Sequence, residues 1–194
     1  MRVGILAIQG DVDAHARALD RLGASSRPVL REKDLDEIDA LILPGGESTT
    51  IAKGLDRLGL YGPLASFADS GKPILGTCAG AILLAGASEN HPVKTLGLID
   101  VVAQRNAYGT QVDSFAAIAD PPAHGAGKAA QELEGLRCVF IRAPQLSKIG
   151  AGVEVLLRVE GVPALVRQGN ILACTFHPEL GADSRVHRLL DPGA

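Results

Sequence analysis

Short apolar runs that each stop at a glycine-containing turn constrain this chain more than any other feature of its sequence. Val3–Ile8, Ala40–Leu43 and Pro73–Leu75 are continuously apolar rather than alternating, the pattern of strands covered on both faces. Gln9-Gly10-Asp11 leads from the first run into a helix to about Leu22, with Asp11 as cap, Val12, Ala16, Leu19 and Leu22 as its apolar stripe and Gly23 as its stop. Pro44-Gly45-Gly46 leads into a helix that opens at Ser48 and runs to Leu58, and Gly76–Gly80 leads into the helical run Ala81–Ala87. Strands alternating with helices imply crossover connections, hence a parallel sheet with helices on both faces.

The second half changes character. Ile99–Gln104, Gln111–Ile118, Cys138–Ile141, Val153–Val159, Ala164–Arg167 and Ile171–Phe176 are strand-like, and Glu160-Gly161 and Gln168-Gly169-Asn170 suit hairpin turns. An antiparallel extension of the parallel sheet is expected, then a helix near Leu180–Leu190. Ala119–Ala130, rich in Pro, Ala and Gly, reads as an exposed loop. The fold class is α/β: a Rossmann-like, mostly parallel sheet in one domain over residues 1–194.

Composition narrows the function classes. With 194 residues, 46% hydrophobic, the chain can bury a substantial core, and at 3% aromatic that core is aliphatic. Lys+Arg 19 against Asp+Glu 22, with no basic run, argues against nucleic acid as a partner. Cys78, Cys138 and Cys174 are too few and too scattered for a disulfide framework or a zinc site, so no metal is expected. The opening MRVGILAIQG lacks the longer apolar segment of a signal peptide, and no run approaches the roughly 20 apolar residues of a membrane span. A cytoplasmic protein without a membrane partner is expected.

Three segments fall at carboxyl ends of expected strands, where open parallel sheets bind ligands. Gly76-Thr77-Cys78-Ala79-Gly80 has the G-x-C-x-G form of a nucleophile elbow, with glycines where backbone must pass close to backbone. A following helix N-terminus favours a thiolate at Cys78, and the Ala79 N–H would face an oxyanion hole. A lone cysteine there also reads as a small buried hydrophobe, the reading that suits Cys138 and Cys174 within LRCVFI and ILACTF. In Thr175-Phe176-His177-Pro178-Glu179-Leu180, Pro178 biases His177 toward an extended backbone, so that His177 and Glu179 project to one side. Glu179 can then orient His177 as a general base; a surface His beside a surface Glu is the plainer alternative. His15, His91, His124 and His187 lack such context and read as surface residues. In Pro44–Thr50, the glycine pair can donate an N–H to an oxyanion and Glu47 can hold an ammonium, or the segment is a turn with a helix cap at Ser48.

GILAIQGD, LPGGEST, GTCAG, QRNAYG followed by QVDSF, FIRAP, LVRQGN and FHPEL together resemble the glutaminase subunits of pyridoxal 5′-phosphate synthases, a branch of the triad glutamine amidotransferases. The resemblance runs through almost the whole chain. GTCAG and HPE belong to triad amidotransferases generally, whereas QRNAYG, QVDSF and FIRAP point to the vitamin B6 branch and away from the amidotransferase of imidazole glycerol phosphate synthase. A non-catalytic relative usually lacks a triad member, and all three are present. The resemblance implies a class I amidotransferase-like, flavodoxin-like three-layer fold that hydrolyses L-glutamine, with Cys78 as nucleophile, His177 as base and Glu179 as its orienter. It implies glutamine contacts from Gly46, Glu47 and Ser48, from Arg105, and from Ile141 and Arg142, with Gly46 and Ala79 in the oxyanion hole. Which group of glutamine Glu47 and Arg105 each meets stays open, and Arg142 also reads as a strand-end ion pair. It further implies a (β/α)8-barrel synthase subunit as partner, with pyridoxal 5′-phosphate as product of the complex and no cofactor in this chain. Thr110 in place of the usual Arg, Ala117 in place of the usual Glu, and the long Ala119–Ala130 loop depart from the family pattern without touching the triad.

Overall fold

The computed structural model describes residues 1–90, 92–105, 114–191 and 193. Its elements in chain order begin with β1 (Arg2–Leu6), α1 (Val12–Asp20), β2 (Ser25–Val29), β3 (Ala40–Leu43), α2 (Ser48–Leu58), α3 (Tyr61–Asp69), β4 (Ile74–Thr77) and α4 (Ala79–Leu84). There follow β5 (Ala85–Glu89), β6 (Ile99–Gln104), β7 (Phe115–Ile118), α5 (Lys128–Glu132), β8 (Arg137–Phe140), β9 (Gln145–Ser147), β10 (Glu154–Val159), β11 (Val162–Gln168), β12 (Ile171–Cys174) and α6 (Arg185–Arg188). The main sheet has the order β10-β11-β12-β4-β3-β1-β2. From β12 to β2 its neighbours are parallel, and β10 and β11 extend it antiparallel through the two expected hairpins.

The buried side chains alternate between the two faces of this sheet. Leu41, Leu43, Ile74, Ile171 and Ala173 join one apolar cluster with Ile51, Leu55, Leu64 and Leu83 from α2, α3 and α4. Ala40, Ile42, Leu75, Leu172 and Cys174 join the other, with Leu19 of α1 and Val186 of α6. Period-two alternation on fully buried strands produces the three-layer α/β arrangement.

Several expectations need correction. β2, the edge strand Ser25-Ser26-Arg27-Pro28-Val29, carries no apolar run and includes a proline tolerated only at an edge. α3 forms through Gly62-Pro63, near its start, where proline fits helix geometry. The helix after the elbow ends at Leu84, and Ala85–Glu89 is a strand. Not all later strands extend the main sheet: β5, β6 and β9 form a separate three-stranded sheet, and β7 and β8 a two-stranded one. Of the expected strand Gln111–Ile118, β7 covers Phe115–Ile118, residue 114 carries no strand, and residues 111–113 lie outside the described residues, as does Thr110. Ala117 faces Cys138 across β7 and β8 and packs on the second cluster. The 119–130 segment is not exposed throughout: Ala119 and Ala130 are buried, and α5 begins inside it. Instead of one C-terminal helix there are a 3-10 turn, Pro178–Leu180, and the four-residue α6.

The cap of α2 is also not the expected one. Ser48 is the first helical residue and is buried, while the Glu47 carboxylate accepts from the N–H groups of Thr49 (3.1 Å) and Thr50 (2.7 Å). Partial burial opposes its ionisation, but these bonds outweigh it and hold the carboxyl at about 2. Because this value lies below the ordinary 4.5, the cap's stabilisation is complete above that pH and is lost as pH falls toward about 2. Glu47→Ala is expected to cost about 1 kcal/mol at neutral pH. The difference from wild type in chemical denaturation should shrink steadily as the solution is acidified; a constant difference would mean that the cap is not electrostatic.

Candidate active site

The strand-to-helix elbow at Cys78 is built by close backbone packing. A Cβ on Gly80 would collide with the Leu43 carbonyl of β3, and one on Gly76 would lie 2.6 Å from the Gly80 carbonyl carbon and oxygen. Cys78 sits between them at φ 48°, ψ −103°, a left-handed conformation that a side chain rarely adopts. Its N–H donates to the Cys174 carbonyl (2.8 Å), continuing the β4–β12 ladder by one residue. Cys78 is buried and not exposed as a turn position suggests, with 6% of its surface accessible. Its Sγ faces the Ile141 carbonyl oxygen at 3.9 Å. The other two thiols behave as core: burial pushes Cys138 up to about 12 and Cys174 well above its ordinary range.

His177 and Glu179 arrive from β12. The His177 N–H donates to the Val139 carbonyl (2.8 Å), and Phe176 before it is fully buried. At φ −107°, ψ 85°, His177 is on the extended side, and its Nδ1 lies 2.7 Å from Glu179 Oε1. The pairing expected from the His-Pro-Glu spacing is therefore present. Burial acts to lower the basicity of His177, but the neighbouring Cys78 and Glu179 side chains outweigh it and raise the ring to about 10.

Gly45 lies between these two arms: a Cβ there would be 2.5 Å from His177 Cε1 and 3.3 Å from Cys78 Cβ. One on Gly10, at φ 116°, would collide with the Gly45 carbonyl. Gln9 Oε1 accepts from the Glu47 N–H (3.0 Å), so the end of β1 supports the glycine turn after β3. The carboxyl ends of β1, β3, β4 and β12 thus converge on one place, as expected for an open parallel sheet.

The remaining candidates form the surroundings. Ala79 is the first residue of α4, a position whose N–H has no acceptor within the helix. Gly46 follows Gly45 at φ 151°. Arg105, at the end of β6, donates to Glu47 Oε1 (3.2 Å) and Thr49 Oγ1 (3.4 Å). Ile141 is half-buried beside the thiol, and Arg142 is exposed at φ 46°, with no ion pair among the described residues. Residues 106–109 of the QRNAYG motif, residues 111–113 of QVDSF and His91 lie outside the described residues. A cavity of about 470 Å³ between Pro73, Asn170, Leu133 and Arg188 lies at the opposite ends of β4 and β12 from Cys78.

Two residues read as surface from the sequence belong to this neighbourhood. His15 and His187 are both fully buried, with His15 Nε2 3.6 Å from Glu179 Oε2 and His15 Nδ1 2.9 Å from His187 Nε2. The missed signal was helical spacing: His15, Ala18 and Leu19 share the buried face of α1. His124 is exposed as expected.

The chain is similar to known proteins over nearly its whole length. The family model of the SNO glutamine amidotransferases matches residues 5–190. A pyridoxal 5′-phosphate synthase subunit PdxT from Thermotoga sp. (strain RQ2) is 45% identical over 188 residues, covering 97% of this chain and 96% of that protein. The subunit of the same name from Frankia casuarinae is 48% identical over 198 residues, covering 97% and 92%. A crystal structure of a glutamine amidotransferase superposes with a TM-score of 0.88 at 42% identity, over 97% of this chain and 96% of that one. PurLQS from Thermotoga maritima shares the fold at 20% identity, with a TM-score of 0.77. Matched over nearly its whole length, the chain belongs to the SNO glutamine amidotransferase family.

Proposed function

We propose that this chain is the glutaminase subunit of a pyridoxal 5′-phosphate synthase, hydrolysing L-glutamine to L-glutamate and ammonia through Cys78, His177 and Glu179. The observation that carries the reading is one juxtaposition: a cysteine on a left-handed elbow beside a histidine whose far nitrogen lies 2.7 Å from a buried glutamate.

Cys78 Sγ attacks the side-chain carbonyl carbon of glutamine, and the oxyanion is received by backbone N–H groups of Gly46 and Ala79. His177 is held largely protonated at neutral pH, so it supplies the proton that departs with the amide nitrogen as ammonia. The neutral ring then takes a proton from water, whose oxygen attacks the γ-glutamyl thioester; the carbon–sulfur bond breaks, glutamate leaves, and the sulfur and the protonated ring return to the state in which they began. Glu179 keeps the His177 ring in place and balances its charge. Gly46, Glu47, Ser48, Arg105, Ile141 and Arg142 surround the substrate. This chemistry uses no metal or organic cofactor; pyridoxal 5′-phosphate is the product of the complex. Ammonia passes to a (β/α)8-barrel synthase subunit in the cytoplasm. Among the described residues, no helix is long and apolar enough to cross a membrane.

Cys78→Ala is expected to abolish glutamine hydrolysis, and Glu179→Gln to lower kcat less than His177→Asn, because orienting a base is secondary to transferring the proton. Steady-state kinetics on folded variants with the synthase present decides this; near-normal turnover by Cys78→Ala removes the nucleophile assignment.

The raised basicity of His177 gives a second test. Its ion-pair stabilisation is complete below the ordinary pKa of 6.5 and is lost as pH rises through about 10. In Cys78→Ala the thiol's contribution is gone while burial persists, so His177 should titrate at lower pH than in wild type. Ring resonances followed by NMR would show this, and an unchanged titration would exclude a coupled Cys78–His177 pair.

The free subunit is expected to hydrolyse glutamine weakly and to be stimulated by its synthase. The Gly45-Gly46 peptide carries no Cβ on either side, so it can rotate and exchange an N–H for a carbonyl oxygen in the oxyanion hole. Losing one such donor costs about 10²–10³ in kcat, and docking beside the turn would favour the competent orientation. A kcat that stays constant across a synthase titration would rule out this gating while leaving the triad intact.

A further inference from the structure

We infer that His15 is a positioning residue for the reaction: its Nε2–H is directed at the second carboxylate oxygen of Glu179, and His187 fixes the tautomer that makes this possible. The inference rests on the triad reading above and extends it two residues into the core.

Glu179 has a side chain only 1% exposed, and its two oxygens are in different situations. Oε1 meets His177 Nδ1 at 2.7 Å, whereas Oε2 is buried without a hydrogen-bond partner among the described residues. The group facing Oε2 is His15 Nε2, at 3.6 Å, with Thr77 Oγ1 3.3 Å from the same nitrogen. A bare Nε2 there would oppose its lone pair to a carboxylate oxygen in a site shielded from water, where such repulsion is costly. A protonated Nε2 turns its N–H dipole toward the carboxylate oxygen, at a distance longer than a hydrogen bond, with Thr77 Oγ1 as its nearer acceptor.

That choice settles the rest of the chain. With the proton on Nε2, His15 Nδ1 is an acceptor, and His187 Nε2, 2.9 Å away, must be the donor. His187 Nδ1 is then a bare acceptor, and it is the other buried polar atom without a partner among the described residues. Both rings are held neutral. Burial is the main cause and lowers each to about 4; for His15 the Glu179 charge opposes this while His187 and His177 add to it, and for His187 the charge of Arg21 adds to it. The two rings come from elements that are tied together: the Ser184 hydroxyl donates to the Ala18 carbonyl (3.2 Å), and Arg21 donates to Ser184 Oγ (3.1 Å) and the Gly181 carbonyl (3.0 Å). His187 Nε2–H to His15, and His15 Nε2–H to Glu179, thus form a line of donors ending on the carboxylate that orients His177.

The test compares His15→Leu, which fills the space without a donor, with His15→Gln, which carries an amide N–H. Both are assayed with the synthase subunit present, for kcat and for KM toward glutamine. His15→Leu should lower kcat by at least about tenfold, the scale for losing a group that orients a reacting residue, with KM unchanged; His15→Gln should recover most of the loss. Wild-type kcat in His15→Leu, or equal impairment of both variants, overturns the inference. Should the Leu variant not fold, long-range ¹H–¹⁵N NMR of the wild-type chain decides. A neutral, Nε2-protonated His15 at neutral pH is expected, and an Nδ1-protonated or charged ring overturns the inference. Cys78→Ala in the same assay separates the two levels: turnover by that variant defeats the triad reading itself. An inert Cys78→Ala beside a fully active His15→Leu defeats only the role of His15.

Discussion

Where α4 begins, its backbone lies so close to the Leu43 carbonyl of β3 that Gly80 has no room for a Cβ, and a Cβ on Gly76 in β4 would crowd the Gly80 carbonyl group at 2.6 Å. This contact seats a helix against two neighbouring strands, and the chain between them must reverse within Thr77 and Cys78. The reversal costs a left-handed backbone at Cys78, a strain of order 1–3 kcal/mol that persists only because the surrounding packing fixes it. Its result is geometric. The thiol leaves the sheet at the carboxyl ends of the parallel strands, where the turns after β1, β3 and β12 also end. The rest of the site is arranged around that one departure from regular structure.

The second arm meets an electrostatic requirement. A charged imidazole is unfavourable in a buried place unless favourable partners are near, and the Cys78 side chain on one side and Glu179, at 2.7 Å, on the other supply them. A carboxylate with 1% side-chain exposure is closed off from solvent, and the polar group that faces its unpartnered oxygen comes from the core. His15 on α1 and His187 on α6 lie on the face of the sheet covered by those helices, so the polar path to Glu179 passes through the layer that also packs Leu19 and Val186. Packing and charge orientation are therefore served by the same helices.

The parallel half of the fold was legible because its strands are covered on both faces and leave continuous apolar runs that punctuation delimits. The elbow and the His-Pro-Glu pair were legible because both depend on local geometry: glycine for close approach, proline for an extended neighbour. What escaped depends on distant partners. β2 is polar because it is an edge, and nothing in its five residues announces that it pairs with β1. The division of the later strands into separate sheets follows from which edges are available, not from strand sequence. His15 and His187 lie 172 positions apart; each looked like an ordinary polar residue until α1 and α6 brought their rings together.

Glu47 illustrates a different limit, where a residue expected at a site already has structural work. A carboxylate offers about four lone-pair directions. Here the Thr49 and Thr50 N–H groups, the Thr50 hydroxyl and the Arg105 guanidinium all point at it. A substrate ammonium that hydrogen-bonded directly to Glu47 would have to displace one of these donors, at the expense of the cap of α2 or of the contact that ties β6 to this turn. The carboxyl stays ionised far below neutral pH, so its charge attracts an ammonium without any such displacement. A charge fixed by helix capping is still a charge that an ammonium can meet, so a turn-and-cap reading and a binding reading of LPGGEST are compatible.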